Sequence, residues 1–217
     1  GIDYVHGIIN TNLSSRMGAG AVRSFNQAST LHQMPISLIG VAISTAFFPK
    51  LTEELGSGDK KEFYNTFRVA LRTIIWIALP VTVIAFFGRG YVTSFISNIG
   101  NNDSNGTIAS VLGTLCIAIF ARSIFHIASR GFYACQDTKT PFIVSIFAIG
   151  LTILMSVWFY FIGWGVDGLG FAQSLGAIIE IIILLIILQK RSDRQILDKS
   201  FFRAFSRMLV ATFITAC

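Results

Sequence analysis

Long apolar runs, separated by short polar connections, make up most of this chain. A helix of about 20 residues crosses a bilayer core of about 30 Å, whereas a membrane β-barrel would show segments of about ten residues that alternate in polarity. The continuous runs therefore predict an all-α fold, a polytopic transmembrane helical bundle. The predicted segments are A, from about Ile2 to Met17; B, from about Ala21 to Phe48; C, from about Arg68 to Phe87; D, from about Thr107 to Tyr133; E, from the Gln136–Pro141 connection to about Ile162; F, from about Leu169 to Leu188; and the start of G, in the apolar run from Met208.

Prolines and polar clusters set the predicted breaks between these segments. Pro49 is expected to end segment B, and the polar stretch from Lys50 to Glu62 to form a loop. Pro35 predicts a kink about one turn earlier, near Leu31 and His32, because proline has no amide hydrogen to donate. Gly88 to Gly106 is predicted to be a loop or an interfacial stretch, since it ends in the turn-forming residues GNNDSNG.

The composition excludes a soluble domain. Only 13% of the 217 residues are charged, against about 25% in a typical soluble protein. The chain begins with Gly1 and ends at Cys217 within an apolar run. Residues 1–217 are therefore expected to be one transmembrane domain, incomplete at both ends, with about six spans and a truncated seventh.

The net charge of +6 does not indicate a nucleic-acid partner, because the basic residues lie at segment ends and in short connections. The B–C, D–E and F–G connections are rich in Lys and Arg, whereas the A–B and E–F turns contain none and the C–D connection contains only Arg89. Positive residues concentrate on the cytoplasmic side of membrane proteins. The three basic connections are therefore predicted to be cytoplasmic, with the polar half of segment B toward the outer side.

Segment B is polar in its first half, which a membrane helix tolerates where it faces a water-filled cavity. Arg16 and Arg23 lie seven residues apart across a Gly-Ala-Gly turn. One interpretation is that both side chains reach the outer lipid head groups. The other is that they are fixed cations of a central cavity, since arginine binds phosphate oxygens bidentately. In that case nearby amides would hydrogen-bond a sugar or peptide head group: Asn10, Asn26, Gln27 and Gln33.

Two further sets of charges lie within apolar segments. Arg122, His126 and Arg130 share one face of segment D; they are interpreted either as a solvated stripe or as a contact to an anionic lipid head group. Glu180 lies among Ile and Leu in segment F. A neutral, packed carboxylic acid is favoured there, and a role with a coupling ion or proton is the alternative.

No catalytic or metal-binding pattern is present in the sequence. The three histidines have no partners at metal-ligand spacing, and no GxSxG, P-loop or GxGxxG motif occurs. Cys116, Cys135 and Cys217 are scattered, without a CxxC pair. We therefore expect neither an enzyme nor a cofactor.

Several stretches resemble the MurJ (MviN) family of lipid II flippases. IINTNLSSRMGAGAVRSFNQA is similar to the family's seventh helix and the start of its eighth, and QMPISLIGVAISTAFFPKL to its Q-L-P-x-G-x-x-G-V-A-I-x-T-x-x-L-P-x-L run. RGFYACQDTKTP resembles its R-x-F-Y-A-x-Q-D-T-K/R-T-P connection, and GLGFAQSLG is a weaker match. The order of these motifs corresponds to helices seven to twelve and the start of thirteen, out of fourteen.

The resemblance implies the second lobe of a multidrug/oligosaccharidyl-lipid/polysaccharide (MATE-like) transporter in the bacterial inner membrane. Such a protein moves lipid II, the peptidoglycan precursor, to the outer leaflet by alternating access, for cell-wall synthesis. The implied partners are lipid II or a similar lipid-linked diphosphate sugar, the phospholipid bilayer and an N-terminal lobe of the same chain. The alternatives are an exporter of another lipid-linked oligosaccharide or of drugs, and a membrane scaffold that does not transport.

The chain departs from the family pattern at three positions. Ser29 and Thr30 stand where the family has the Asp and Arg of its A-D-R-L motif, so a cavity arginine is missing and Arg23 is its proposed substitute. Asn10 and Ser156 stand where some members carry an acidic residue and an Asn of a proposed sodium site. No coupling ion is therefore assigned.

Overall fold

The computed structural model describes residues 2–17, 20–100 and 105–191, and almost all of them are helical. The elements are α1 (Ile2–Ser15), α2 (Ala21–Ile36), a π-helical turn (Ser37–Val41), α3 (Ala42–Gly56), α4 (Lys60–Gly100), α5 (Asn105–Ala134), α6 (Lys139–Ile162) and α7 (Gly165–Arg191). The prediction of an all-α, polytopic helical bundle is confirmed.

Helix α5 lies at the centre of the bundle and packs against α2, α4 and α7. Its buried face contributes to two apolar clusters. One cluster joins α5 to α3, α4 and α7 through residues such as Phe67, Ile127 and Leu184. The other joins α5 to α2 and to the start of α7, through residues such as Phe25, Leu115 and Leu169. The packing of α5 therefore fixes the positions of its neighbours around it.

Five helical stretches are long and apolar enough to cross a membrane among the described residues. They are Ala21–Gly56, Lys60–Phe95, Gly106–Ala134, Lys139–Ile162 and Gly165–Arg191. Helix α1 has 14 residues and is not among them. Segment G and most of the F–G linker lie outside the described residues. The chain is thus a multi-pass membrane protein, and the six-span count with a truncated seventh stays a prediction.

Two predicted breaks around segment B are wrong. The helix continues through Pro49 to Gly56, and only residues 57–59 separate it from α4. Packing explains the continuation, since Leu51 is fully buried and the Thr66 hydroxyl on α4 donates a hydrogen bond of 2.7 Å to Glu54 Oε1. These contacts outweigh the one hydrogen bond that a proline removes.

The irregularity expected near Leu31 and His32 lies instead at Ser37–Val41, just after Pro35, as a π-helical turn. Single π turns occur inside α-helices without ending them. Here the turn brings Gly40 against α5, where an added Cβ would lie 2.9 Å from the Cα of Ser123. The glycine therefore allows the two backbones to approach closely.

Gly88 to Gly106 was predicted to be a loop or an interfacial stretch, and the loop alternative is largely wrong, because α4 extends to Gly100 and α5 begins at Asn105. A glycine destabilises a helix by only about 1 kcal/mol relative to alanine. Contacts made by the part of α4 after Gly88 offset this cost. The guanidinium carbon of Arg89 lies 4.3 Å from the Phe86 ring centroid. The Arg89 side chain also covers Gly113 on α5. The Thr93 hydroxyl donates to the Arg89 carbonyl at 2.8 Å.

The described parts of the three basic connections meet at one end of the bundle. Arg191, at the end of α7, donates hydrogen bonds to Asp137 and, at 3.0 Å, to the Thr140 hydroxyl. The Tyr64 hydroxyl on α4 donates to the Arg191 carbonyl at 3.2 Å. The start of α4, the α5–α6 connection and the end of α7 therefore share one side, as the alternation of charged loops requires.

Asp137 organises this junction, and we expect its contribution to depend on pH. Hydrogen bonds from the Thr140 hydroxyl and amide, and then the Arg191 guanidinium, lower the carboxyl pKa from 3.8 to about 2. A lowered native pKa gives stability that is complete above about pH 4 and is lost as the pH falls toward 2. Asp137→Asn is expected to cost about 1 kcal/mol at pH 7, comparable to losing a helix cap, and less at pH 3.

Melting temperatures of the wild-type and Asp137→Asn proteins in detergent at pH 7, 5 and 3 check this expectation. The exposed Glu53, whose side chain makes no hydrogen bond among the described residues, supplies the control Glu53→Gln, expected to change nothing at any of these pH values. A difference between wild type and Asp137→Asn that stays constant down to pH 3 contradicts the assignment.

Candidate functional site

A cavity of about 910 Å³ opens between α1, α2, α5, α6 and α7. Polar residues line much of it, although it lies within helices apolar enough to span a membrane. The polar and charged lining residues are Asn10 and Thr11 on α1; Asn26, Ser29, His32 and Gln33 on α2; Arg122, His126 and Tyr133 on α5; Thr138 before α6; Lys139 and Ser145 on α6; and Gln173 and Glu180 on α7. Such a lining fits a water-filled cavity with a polar ligand.

The polar half of segment B faces this cavity, as its sequence predicted. Asn26, Ser29 and Gln33 recur at intervals of three and four residues, so they lie on one side of α2. The Ser29 hydroxyl is buried and has no hydrogen-bond partner among the described residues. Buried polar groups are normally paired with protein or water, so this wall has hydrogen-bonding capacity to offer a ligand.

The electrostatic centre of the cavity joins three helices. Arg122 Nη1 on α5 donates to Glu180 Oε2 on α7 at 3.3 Å. The Ser145 hydroxyl on α6 donates to the other oxygen, Glu180 Oε1, at 2.6 Å. Glu180 therefore has a guanidinium and a hydroxyl as partners, and the neutral, packed carboxylic acid favoured from the sequence stays a prediction. The sequence could not reveal the pair, because its members are 58 residues apart.

The stripe Arg122, His126 and Arg130 divides between two environments. Arg122 and His126 line the cavity, whereas the guanidinium carbon of Arg130 lies 5.0 Å from the ring centroid of Phe48. Arg122 is 24% exposed, and both alternatives for the stripe, solvation and contact with an anionic lipid head group, stay predictions. The helices packed beside α5 give Arg122 and Arg130 different surroundings, and a sequence pattern does not show which helices these are.

The other predicted residues also separate into two groups. Asn10, Asn26 and Gln33 line the cavity. Arg16 and Arg23 are exposed at the facing ends of α1 and α2 and do not line it, and Gln27 is half-buried outside it. The assignment of all six residues to substrate binding stays a prediction.

Sequence reasoning missed several lining residues. Lys139, a basic residue of the D–E connection, lies at the start of α6 in the cavity wall with Tyr133 and Thr138. Their place in the RGFYACQDTKTP motif was the available signal. Ser145 had none, because a single serine in an apolar helix is common and its partner lies 35 residues away.

No group of three or more His, Cys, Asp or Glu residues that could hold a metal occurs among the described residues. Asn10 and Ser156, at the positions of the family's proposed sodium site, are both buried. Their neutral side chains supply no carboxylate to a cation, so these residues support no assigned coupling ion.

Comparisons with known proteins decide the family. The family model described as lipid II flippase MurJ matches residues 1–217. The chain belongs to the MurJ lipid II flippase family. It is 31% identical to the lipid II flippase MurJ of Burkholderia cenocepacia, over 96% of this chain and 40% of that protein. It is 26% identical to a probable lipid II flippase MurJ of Borreliella burgdorferi, over 84% of this chain and 36% of that protein.

A solved structure gives the same fold. The lipid II flippase MurJ in an inward closed conformation superimposes with a TM-score of 0.84 at 21% identity, over 99% of this chain and 44% of that chain. The chain thus spans about 40% of the length of the relatives that it matches. The family model that matches the chain is that of a flippase.

Proposed function

We propose that the chain is the C-terminal lobe of a flippase that moves lipid II, or a similar lipid-linked diphosphate sugar, across the bacterial inner membrane. The observation that carries the proposal is the polar cavity within a membrane bundle. Its described lining includes the cations Arg122 and Lys139 and one carboxylate, Glu180. Such a wall is suited to an anionic, hydrogen-bonding head group, and it is poorly suited to a cationic drug.

In this proposal an N-terminal lobe faces the cavity, and the two lobes alternate access around it. The head group passes through the cavity while the lipid tail stays in the bilayer. Asn10, Asn26 and Gln33 contact the sugar or peptide. The exposed Arg16 and Arg23 engage the diphosphate near the outer side, where the other lobe would complete their surroundings. Product delivered to the outer leaflet then serves cell-wall synthesis.

The role of Arg16 and Arg23 is testable by complementation. In cells depleted of their own lipid II flippase, the intact wild-type protein is expected to restore growth. The Arg16→Ala/Arg23→Ala double variant is expected to fail at equal membrane abundance, because two bidentate phosphate contacts are lost. Lys50→Ala, an exposed cation away from the cavity, is the matched control and should restore growth.

Three results would change the proposal. Normal growth with the double variant removes Arg16 and Arg23 from the site and leaves the head group to the cavity wall. Failure of the wild-type protein to restore growth, together with no change in the leaflet accessibility of labelled lipid II, indicates a scaffold. If the protein transports another lipid-linked oligosaccharide but not lipid II, the substrate is that oligosaccharide.

A further inference from the structure

Arg122 and Glu180 are unequally placed at the cavity wall. The Glu180 side chain is 3% exposed, whereas that of Arg122 is 24% exposed. Both line the cavity, and Arg122 is the more accessible of the two. A ligand that enters the cavity therefore reaches the guanidinium more easily than the carboxylate.

The bond between the two groups leaves most of the guanidinium available. Arginine has five N–H donors and pairs most strongly with carboxylates through two parallel hydrogen bonds. Within the described residues, Arg122 makes one hydrogen bond to Glu180, and at 3.3 Å it is long for a charge-assisted bond. The guanidinium carbon also lies 6.0 Å from the Phe125 ring centroid. The other N–H donors have no hydrogen-bond partner among the described residues, and those that face the cavity can serve another anion.

Glu180 has a second partner that does not depend on Arg122. The Ser145 hydroxyl donates to Glu180 Oε1 at 2.6 Å, on the oxygen opposite the ion pair. If Arg122 turns toward a ligand, the carboxylate keeps this hydrogen bond from α6. The arrangement therefore has two states in which the buried acid still has a partner.

We propose that Arg122 and Glu180 form an exchangeable anion site, in which Glu180 holds the guanidinium while the cavity is empty and a diphosphate displaces it. The identity of the ligand as a lipid-linked diphosphate rests on the proposed function. A diphosphate offers more charge and a bidentate geometry that matches arginine. The carboxylate then repels the bound anion from behind the guanidinium, which limits affinity and favours release.

The other charged and titratable groups of the cavity do not provide a competing acid. Glu180 is the one acidic side chain among the described lining residues. His126 lies one turn along α5, His32 faces from α2 and Lys139 lies at the start of α6. Removing the Glu180 charge therefore leaves only neutral or basic groups in the described wall. The change is expected to strengthen anion binding.

Binding to the intact protein in detergent tests the proposal, with farnesyl diphosphate as the diphosphate probe, lipid II as the complete ligand and farnesol as the uncharged comparison. Glu180→Gln keeps the shape and the bond from Ser145, and it is expected to tighten farnesyl diphosphate and lipid II binding about tenfold by removing a nearby like charge. Arg122→Gln is expected to weaken both at least tenfold. Neither variant should change farnesol binding.

Arg89→Gln is the matched control for loss of a cation, since Arg89 contacts Phe86 and not the cavity, and it should leave all three affinities unchanged. Arg122→Gln leaves a buried carboxylate without its cation, and this single variant can fail to fold. In that case the Arg122→Gln/Glu180→Gln variant is used in its place. That double variant should bind the diphosphate probe more weakly than Glu180→Gln by at least tenfold. A purely structural role of Glu180 predicts weaker, not tighter, binding in Glu180→Gln.

Unchanged or weaker diphosphate binding in Glu180→Gln overturns the exchangeable site, as does unchanged binding after loss of Arg122. Transport of lipid II by the wild-type protein in liposomes separates this failure from failure of the proposed function. If the wild type transports lipid II while the variants bind the diphosphate normally, only the exchangeable site is wrong. If the wild type does not transport lipid II, the proposed function is wrong, and the farnesyl diphosphate results still decide the site.

Discussion

Replacing Arg122 with methionine is expected to destabilise the protein by about 3–5 kcal/mol, because it leaves the buried carboxylate of Glu180 without a cation. Glu180 is almost completely buried, and Ser145 alone remains to hydrogen-bond it. The reverse change, Glu180→Met, should cost less, since the more exposed guanidinium of Arg122 can be hydrated from the cavity. The Arg122→Met/Glu180→Met variant should recover to within about 1 kcal/mol of wild type, because apolar replacements of a whole buried ion pair are often neutral.

Unfolding of the intact protein by a titration with denaturing detergent measures these free energies. The changes in the free energy of unfolding of the two single variants and of the double variant form a double-mutant cycle. Its interaction term measures the coupling between Arg122 and Glu180. We expect an interaction of about 2 kcal/mol or more, opposite in sign to the single costs. Arg89→Met should show no interaction with Glu180→Met. If the two single costs simply add in the double variant, the ion pair does not stabilise the fold.

Gly176→Val is expected to destabilise the protein by about 3 kcal/mol, at the upper end of the usual cost of overpacking. Gly176 lies where α7 meets α6, and an added Cβ would lie 3.1 Å from the Cβ of Thr152 and closer still to its hydroxyl oxygen. Thr152 is buried, and its hydroxyl donates to the Ala148 carbonyl at 2.8 Å. The side chain therefore cannot move aside without losing that bond.

Gly150→Val, on the same helix as Thr152, is the matched control, since an added Cβ there meets nothing within 4 Å. It should change the free energy of unfolding by less than about 1 kcal/mol. Thr152→Ala should recover part of the loss in the Gly176→Val background, because it removes the oxygen nearest the new side chain. Equal stability of Gly176→Val and wild type would show that the α6–α7 contact is looser than in this structure.

The close approach of α6 and α7 also matters for the site. Ser145 and Thr152 lie on the same helix, and Gly176 and Glu180 lie one turn apart on α7. The contact that fits Gly176 against Thr152 therefore helps to bring Ser145 within hydrogen-bond distance of Glu180. The stability of this interface and the geometry of the ion pair are consequences of the same packing.

The sequence by itself determined that the chain is an all-α, multi-pass membrane protein of this family and that the polar half of segment B faces a cavity. These properties follow from the length of the apolar segments, the polarity of single segments and long sequence motifs. Each of these is a feature of residues close together in the chain. Helix ends at Pro49 and near Gly88 were mispredicted because packing of Leu51 and Arg89 against neighbouring helices offset the weak local preferences of proline and glycine.

Only the tertiary structure decided which charges face the cavity and which are paired. Arg122 and Arg130 look equivalent on one face of α5, yet one meets Glu180 and the other meets Phe48. Ser145, Arg122 and Glu180 lie on three helices, and contacts between residues so far apart in the chain leave no periodic pattern. The pairing of a buried charge depends on what packs beside it, and that is a property of the assembled bundle.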